Sequence, residues 1–195
     1  MPRISEEEKV ARREHVLAGA RRCFAQYGYD GATVVRLEQE IGLSRGAIFN
    51  WFSSKEDLFL ELATRDNDRI TRIWLEDGME AAMRGVVEED PDWLGVYLGV
   101  AYRLRTDAAF RERWDARAPK EREAQLVARM KEQQAAGELR TDLDPEQIGR
   151  FIGVVFDGIA LHRAAGYDPP LDDLLLLVRD ALRPVKARTR ARTAS

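Results

Sequence analysis

Apolar residues recur with the 3.6-residue period of an amphipathic helix along nearly the whole chain, and no segment alternates as a β-strand would. Glycines, prolines and capping residues interrupt this pattern in the way that is typical of helix ends. We therefore predict an all-α fold of about nine helices. The chain has 195 residues and is long enough to bury its own core. Its single cysteine, Cys23, lies in the apolar phase of a helix, where we expect a small buried hydrophobe.

Two short predicted helices lie between residues 33 and 52. Thr33 and Ser44 are the expected N-caps of these helices, and Gly42 ends the first one. Two short helices joined by a glycine turn are typical of a helix-turn-helix. The inward positions are apolar, namely Val34, Leu37, Ile41, Ile48 and Phe52. The outward face of the second helix is then left with Ser44, Arg45, Ala47, Asn50 and Trp51.

This outward face carries side chains that suit the major groove of DNA, which is wide enough to admit one helix. Arg45 could bond guanine through its forked guanidinium, Asn50 suits adenine, and the Ala47 methyl could touch a thymine methyl. Simpler interpretations exist for the same residues. The two N-cap residues could serve only as caps, and Arg45 and Lys55 could be ordinary solvated charges.

Residues 11–62 resemble the DNA-binding domain of the tetracycline-repressor (TetR) family. The resemblance is carried by VLAGARRCFAQYGYDGATV at 16–34 and LEQEIGLSRGAIFNWFSSKEDLF at 37–59. It implies an N-terminal three-helix DNA-binding domain with a helix-turn-helix at 1–60. It also implies a C-terminal helical domain for ligand binding and dimerisation at 61–185.

The family resemblance also implies which residues contact double-stranded DNA. By position these are Thr33, Ser44, Arg45, Ala47, Asn50, Trp51 and Lys55. Many family members have a phosphate-binding tyrosine where this chain has Phe49, so that hydroxyl is missing here. The indole N–H of Trp51 could still donate to a phosphate.

Charge is balanced in the predicted DNA-binding domain, because residues 1–60 hold nine basic and nine acidic side chains. We expect weak non-specific binding, with most of the affinity coming from two half-sites bound at once by a dimer. The formal net charge of the chain is −3. The segment at 186–195 is basic and lacks acids, and we predict a disordered tail that either adds DNA affinity or only solubilises the chain.

In the second half, one helix is predicted at 92–105, with Thr106 capping the next. Another is predicted at 144–164, with Asp144 as its cap. The last two helices carry apolar surface beyond one stripe, and in the resembled family they pair with their copies to form a homodimer. The predicted dimer residues are Ile148, Phe151, Ile152, Val155, Ile159, Leu174, Leu177, Val178 and Leu182. The predicted effector pocket is lined by Trp74, Tyr97, Tyr102, Arg103, Trp114, Met130, Phe156 and His162, although aromatics at helical spacing are also typical of plain core.

A narrower resemblance connects RRCFAQYGYDGATVVRLEQEIGLSRGAIF with the actinobacterial aconitase repressors, a branch of the same family. That resemblance would imply a tricarboxylate with magnesium as the effector. A hard cation needs several oxygen ligands, and the helix at 145–163 offers mainly Glu146 and Asp157. We therefore predict no metal site and no resident cofactor, and the small-molecule effector stays unknown.

The chain lacks the patterns of an enzyme. It has two histidines and one cysteine, and it shows no glycine-rich phosphate loop and no metal-ligand spacing. It also shows no signal peptide and no apolar run long enough for a membrane span, so we expect a cytoplasmic protein. The sequence thus favours a DNA-binding transcriptional regulator, by default a repressor released by an effector. The alternative is a helical adaptor that binds proteins without DNA specificity.

Overall fold

The computed structural model describes residues 5–117 and 120–185. These two ranges contain eleven helices and no strand, which confirms the predicted all-α fold. The helices are α1 (Glu6–Gly31), α2 (Val34–Ile41), α3 (Arg45–Phe49), α4 (Lys55–Asp77), α5 (Met79–Val87), α6 (Pro91–Gly99), α7 (Ala101–Thr106), α8 (Ala108–Ala116), α9 (Lys120–Ala135), α10 (Pro145–Ala164) and α11 (Leu171–Leu182). The basic segment predicted to be disordered, 186–195, lies outside the described residues.

Several predicted helix ends are confirmed by their capping atoms. The side-chain oxygens of Thr33 and Ser44 each accept the backbone N–H three residues later, at 3.4 Å. Gly42 ends α2 with a φ of 74°, a left-handed conformation that glycine adopts without strain. Asp144 forms a capping box at the start of α10. These ends were predictable because a cap depends only on residues within one turn of it.

Two predictions for the middle of the chain are wrong. The segment 92–105 is not one helix, because it breaks at Val100 into α6 and α7. The N-cap of α8 is Asp107, whose Oδ1 accepts the N–H of Phe110 at 2.9 Å. The hydroxyl of Thr106, the predicted cap, instead donates back to a carbonyl oxygen of α7. Adjacent Thr and Asp can both cap a helix, so the sequence did not decide between them.

One apolar core joins the helix-turn-helix to the helices that follow it. Phe59 of α4 lies 5.6 Å from Phe24 of α1 and 6.0 Å from Trp93 of α6, measured between ring centroids. These three side chains are almost fully buried, and Cys23 beside them is buried as predicted. The core therefore continues across the boundary predicted between residues 60 and 61.

Four predicted dimer residues belong instead to the core of the chain itself. Ile148, Ile152, Ile159 and Val178 are each at most 4% exposed. They pack in two clusters against residues of α5, α6 and α9, such as Met83 and Met130. Ile148, Ile152 and Ile159 form the inward face of α10, and Val178 lies on the inward face of α11.

Three arginines of α7, α8 and the turn after it hold the first turn of α4. Arg103 and Arg113 both donate to the Glu56 carboxylate, and Arg117 donates to Asp57. Burial alone would raise the pKa of Glu56, but hydrogen bonds from Arg113 and Arg103 outweigh it and keep the pKa below its ordinary value. The ionised form of Glu56 therefore stabilises the fold.

The alanine variant of Gly19 should be clearly less stable than the wild type. A Cβ at this position of α1 would lie 2.7 Å from Ile41 Cγ1 and 3.1 Å from Ile41 Cα, so α2 would have to shift. We expect Gly19→Ala to lower the free energy of unfolding by about 1–3 kcal/mol. Urea unfolding would measure this, with Gly99→Ala as the control because that Cβ meets no atom within 4 Å. Equal stability of the two variants would contradict the close α1–α2 contact.

The Glu56 ion pairs also predict a pH dependence. A carboxylate with a depressed pKa contributes stability above its unfolded pKa of about 4.3, and this contribution is lost as the pH falls through the folded value. We expect Glu56→Gln to lose less unfolding free energy than the wild type between pH 7 and about pH 3. The control Glu132→Gln, at an exposed position of α9, should follow the wild type. Parallel pH profiles for Glu56→Gln and the wild type would contradict this role of Glu56.

Candidate nucleic-acid interface

The outward face of α3 is open to solvent. Ser44, Arg45, Ala47 and Asn50 are exposed, whereas Ile48 is fully buried beneath them. Phe52 of the following turn is also buried, which confirms the predicted inward positions of this segment. The structure thus brings four of the seven predicted DNA-binding residues together on one accessible helix face.

Three contacts hold α3 on α2 and α2 on α1. The Glu38 carboxylate of α2 accepts the backbone N–H of Arg45, the first residue of α3, at 2.6 Å. The Nε2 atom of His15 lies 2.8 Å from the carbonyl oxygen of Ile41, the last residue of α2. Ile41 itself packs on Gly19, which leaves no room for a side chain there. The exposed face of α3 is therefore held in one orientation by contacts made on the other side of the helix pair.

A groove runs between α1 and α3, with a volume of about 500 Å³. Its walls include Arg12 and His15 from α1 and Asn50 and Trp51 from the end of α3. Trp51 is half-buried, so one part of its ring packs on the protein and the other faces the groove. Sequence reasoning missed His15 as a member of this surface, although its spacing of three from Arg12 places both on one side of a helix.

The two remaining predicted residues differ in their placement. Thr33 is exposed and caps α2, so its hydroxyl lies at the rim of the helix-turn-helix. Lys55 is turned into the protein, where its Nζ donates to the carbonyl oxygen of Tyr29 at 2.8 Å and lies 4.5 Å from the Tyr29 ring centroid. Burial lowers the pKa of the Lys55 ammonium below its ordinary value. A phosphate contact by Lys55 stays a prediction and would require the side chain to leave Tyr29.

A separate cavity of about 250 Å³ lies among α4, α6, α9 and α10. Three of the predicted pocket residues line it, namely Trp74, Tyr97 and Phe156. The wall also carries Asp157, which the sequence offered as an oxygen ligand, and three charged side chains that the sequence pattern did not reveal, Asp66, Arg69 and Glu89. Burial raises the pKa of Asp66, against the opposing effect of Arg21, and burial also raises the pKa of Asp157.

The other five predicted pocket residues lie elsewhere. Tyr102 is exposed on α7, and Arg103 pairs with Glu56 at the start of α4. Trp114 packs in the core beside Phe110. Met130 is buried in a separate cluster with Ile148 and Ile152 of α10. His162 is exposed, with its ring 6.0 Å from that of Tyr167. Helical periodicity predicts which face of its own helix a residue lies on, but it does not predict which residues of different helices line one cavity.

Helices α10 and α11 both expose large apolar side chains. These are Phe151 (43% exposed), Val154 (70%), Leu161 (56%), Leu176 (57%) and Leu177 (64%). Of the predicted dimer residues, Phe151 and Leu177 belong to this set, while Val155, Leu174 and Leu182 are only partly exposed. We call the five exposed residues, Phe151, Val154, Leu161, Leu176 and Leu177, the α10–α11 stripe.

Two further classes of site are absent from residues 5–117 and 120–185. No group of three or more His, Cys, Asp or Glu side chains there is arranged to hold a metal ion. None of the helices in the same ranges combines the length and the apolar composition that crossing a bilayer requires.

Comparison with known proteins places this arrangement in a family. Residues 16–62 match the model described as bacterial regulatory proteins, tetR family. The chain is 40% identical over 190 residues to the HTH-type transcriptional repressor Rv1474c of Mycobacterium tuberculosis, covering 94% of this chain and 99% of that protein. It is 41% identical over 174 residues to the HTH-type transcriptional repressor AcnR of Corynebacterium glutamicum, covering 88% and 92%.

The fold agrees with solved structures of low sequence identity. Salmonella enterica GusR aligns with a TM-score of 0.74 at 21% identity, covering 93% of this chain and 98% of that one. The curated relatives are named as transcriptional repressors, which confirms that the chain is not an enzyme. From the family model and the relatives that match it over almost their whole length, the chain belongs to the TetR family of bacterial transcriptional regulators.

Proposed function

We propose that the chain is a repressor that binds a palindromic operator as a homodimer and is released by a small-molecule effector. The observation that carries this proposal is the exposed face of α3, where Ser44, Arg45 and Asn50 protrude together above the buried Ile48. The named relatives, transcriptional repressors of similar length, support the repressing mode.

The chemistry of this face suits base recognition. A major groove admits one helix, and the Arg45 guanidinium offers two parallel donors to the O6 and N7 atoms of guanine. Asn50 can donate to and accept from adenine, and the Ala47 methyl can contact thymine. Trp51 and Arg12 flank the face in the groove between α1 and α3, where they could reach the phosphates on one side.

The dimer follows from two independent considerations. The DNA-binding domain holds equal numbers of acidic and basic side chains, so one copy gains little from the charge of the phosphates. The α10–α11 stripe exposes apolar side chains on two neighbouring helices, and such a surface is typical of a protein interface. A second copy is the occupant that also provides a twofold axis, which a palindromic operator requires.

The cavity among α4, α6, α9 and α10 is the proposed effector site. Trp74 of α4 contributes to its wall, and α4 begins at Lys55, next to the helix-turn-helix. A ligand that shifts α4 would therefore change the separation of the two recognition helices, and a coupling of about 1–3 kcal/mol is enough for a switch.

The charged part of the cavity wall restricts the effector. Asp66, Glu89 and Asp157 line it together with one lining guanidinium, that of Arg69. Arg21, behind the wall, pairs with Asp66 and Glu89. Both guanidiniums are already paired with acidic side chains, so a bare polyanion would have to break these pairs to gain a positive partner from this wall. The tricarboxylate that the resemblance to aconitase repressors implies would therefore have to enter together with its own cation.

The base-reading role of Arg45 can be tested on DNA selected from random sequences. We expect Arg45→Ala to cost about 1–3 kcal/mol at one base pair of the half-site and to relax the preference there, because the forked guanidinium contact is lost. Gel shifts with every base at that position would measure this. The control Arg111→Ala removes the same charge from an exposed position on α8 and should leave the preference unchanged.

Two results would contradict this proposal. An equal loss of affinity on every sequence would remove the base-reading role of Arg45. If the wild type retards no selected DNA even at low salt, the chain is not a DNA-binding repressor, and the helical adaptor becomes the better interpretation.

The α10–α11 stripe predicts the behaviour of a charge placed in it. We expect Leu177→Glu to weaken the homodimer by about 3 kcal/mol or more, roughly a hundredfold, because the carboxylate would be buried without a partner. Sedimentation equilibrium would measure the monomer–dimer constant. Tyr102→Glu is the control, since Tyr102 is equally exposed on α7 but lies outside the stripe. An unaltered dimer in Leu177→Glu would exclude the stripe as the interface.

A further inference from the structure

Arg21 of α1 is held by carboxylates from the helices that follow the DNA-binding domain. Its Nη1 lies 2.8 Å from Asp66 Oδ2, and its Nη2 lies 2.8 Å from Glu89 Oε1. The guanidinium also stacks on the Trp93 ring, 4.4 Å from its centroid. The Trp93 indole N–H donates to the same Asp66 oxygen at 2.6 Å. Because the guanidinium is planar and donates in fixed directions, these partners allow it only one orientation.

Glu89 joins this cluster to a second helix of the cavity. It lies in the short connection between α5 and α6 and accepts three hydrogen bonds. These come from Arg21, from Arg69 Nη2 at 2.5 Å, and from the backbone N–H of Asp90 at 2.9 Å. Three of the about four acceptor positions of this carboxylate are therefore used by groups on α1, on α4 and in its own connection.

The same residues form part of the cavity wall. Asp66, Arg69, Glu89 and Trp93 all line the cavity, while Arg21 lies behind them and does not. Any charged group of a ligand that approaches this wall has to compete with Arg21 for Asp66 and Glu89, or with Glu89 for Arg69. The cavity and α1 therefore share one set of hydrogen bonds.

The position of Arg21 on α1 gives a route from this wall to the recognition helix. Gly19, two residues before it, packs directly on Ile41 at the end of α2. His15, about one turn further back, contacts the carbonyl oxygen of Ile41. A shift or rotation of α1 would thus be passed to α2 and α3 through a contact too close to absorb it.

We propose that the cluster of Arg21, Asp66, Glu89 and Trp93 couples the cavity directly to α1, so that occupancy of the cavity changes the orientation of the recognition helix without requiring a movement of α4. This inference rests on the proposed function, because it takes the cavity as the effector site. In this proposal Arg21 and Glu89 are positioning residues, since neither lies on the DNA-binding face.

The coupling can be tested without knowing the effector, by measuring the operator affinity of cavity-wall variants. We expect Arg21→Gln and Glu89→Gln each to change the Kd for the selected operator by about fivefold or more, in the same direction. The double variant should differ from the wild type no more than the larger single change, because both substitutions break one unit. The operator Kd of Arg21→Lys should fall between those of the wild type and Arg21→Gln, since a single ammonium cannot keep both carboxylates in place.

The matched control is Arg122→Gln, which breaks another ion pair between helices, Arg122 of α9 with Asp68 of α4, outside the cavity wall. It should leave the operator Kd within about twofold. Thermal unfolding of every variant checks that the fold is retained. If Arg21→Gln and Glu89→Gln behave like Arg122→Gln, or if their effects multiply in the double variant, the coupling is refuted.

Hydrogen–deuterium exchange of the full chain, without DNA, separates this inference from the proposed function. We expect Glu89→Gln to speed amide exchange in α1 and in α2–α3, whereas Arg122→Gln should not. Faster exchange confined to α5 and α6 would overturn the coupling. A wild type that binds no DNA sequence but shows the expected exchange pattern would overturn the repressor assignment and leave the mechanical coupling in place.

Discussion

The close packing of α2 and α3 on α1 is the contact on which the rest of the structure depends. Leu37, Ile41 and Ile48 fill the space against α1, and the absence of a side chain at Gly19 lets Ile41 approach the α1 backbone. An interior packed this densely transmits displacement, because it has no voids to take it up. The outward side chains of α3 can therefore be held in one orientation although the helix itself has only five residues.

The features that the sequence predicted well are local ones. Caps such as Ser44 and Asp144 involve atoms within a single turn, and the inward and outward sides of α3 follow from the helical period and one glycine. Placing Arg45 and Asn50 on an exposed face requires little knowledge of contacts between residues distant in the sequence. The exposed face of α3 could therefore be predicted largely from the sequence.

The features that the sequence predicted poorly depend on which distant helices meet. The period shows that α10 is apolar on several sides, but it does not tell that Ile159 faces the core while Leu161 faces solvent. Likewise, Tyr97 lines the cavity and Tyr102 does not, although both lie in the segment predicted as one helix. The break at Val100 separates them, and it follows directly after Gly99, the last residue of α6.

Cys23 lies fully buried in the apolar core around the helix-turn-helix, next to Phe24 in the chain. Its side chain is inaccessible, and burial raises the pKa of its thiol above the ordinary value. The thiolate is the form that reacts with peroxides, disulfides and electrophiles. Burial therefore protects this sulfur in two ways, because it keeps reagents away from the thiol and disfavours the thiolate. Since the sequence has no second cysteine, a response of this regulator to oxidants would have to begin at a residue other than a thiol.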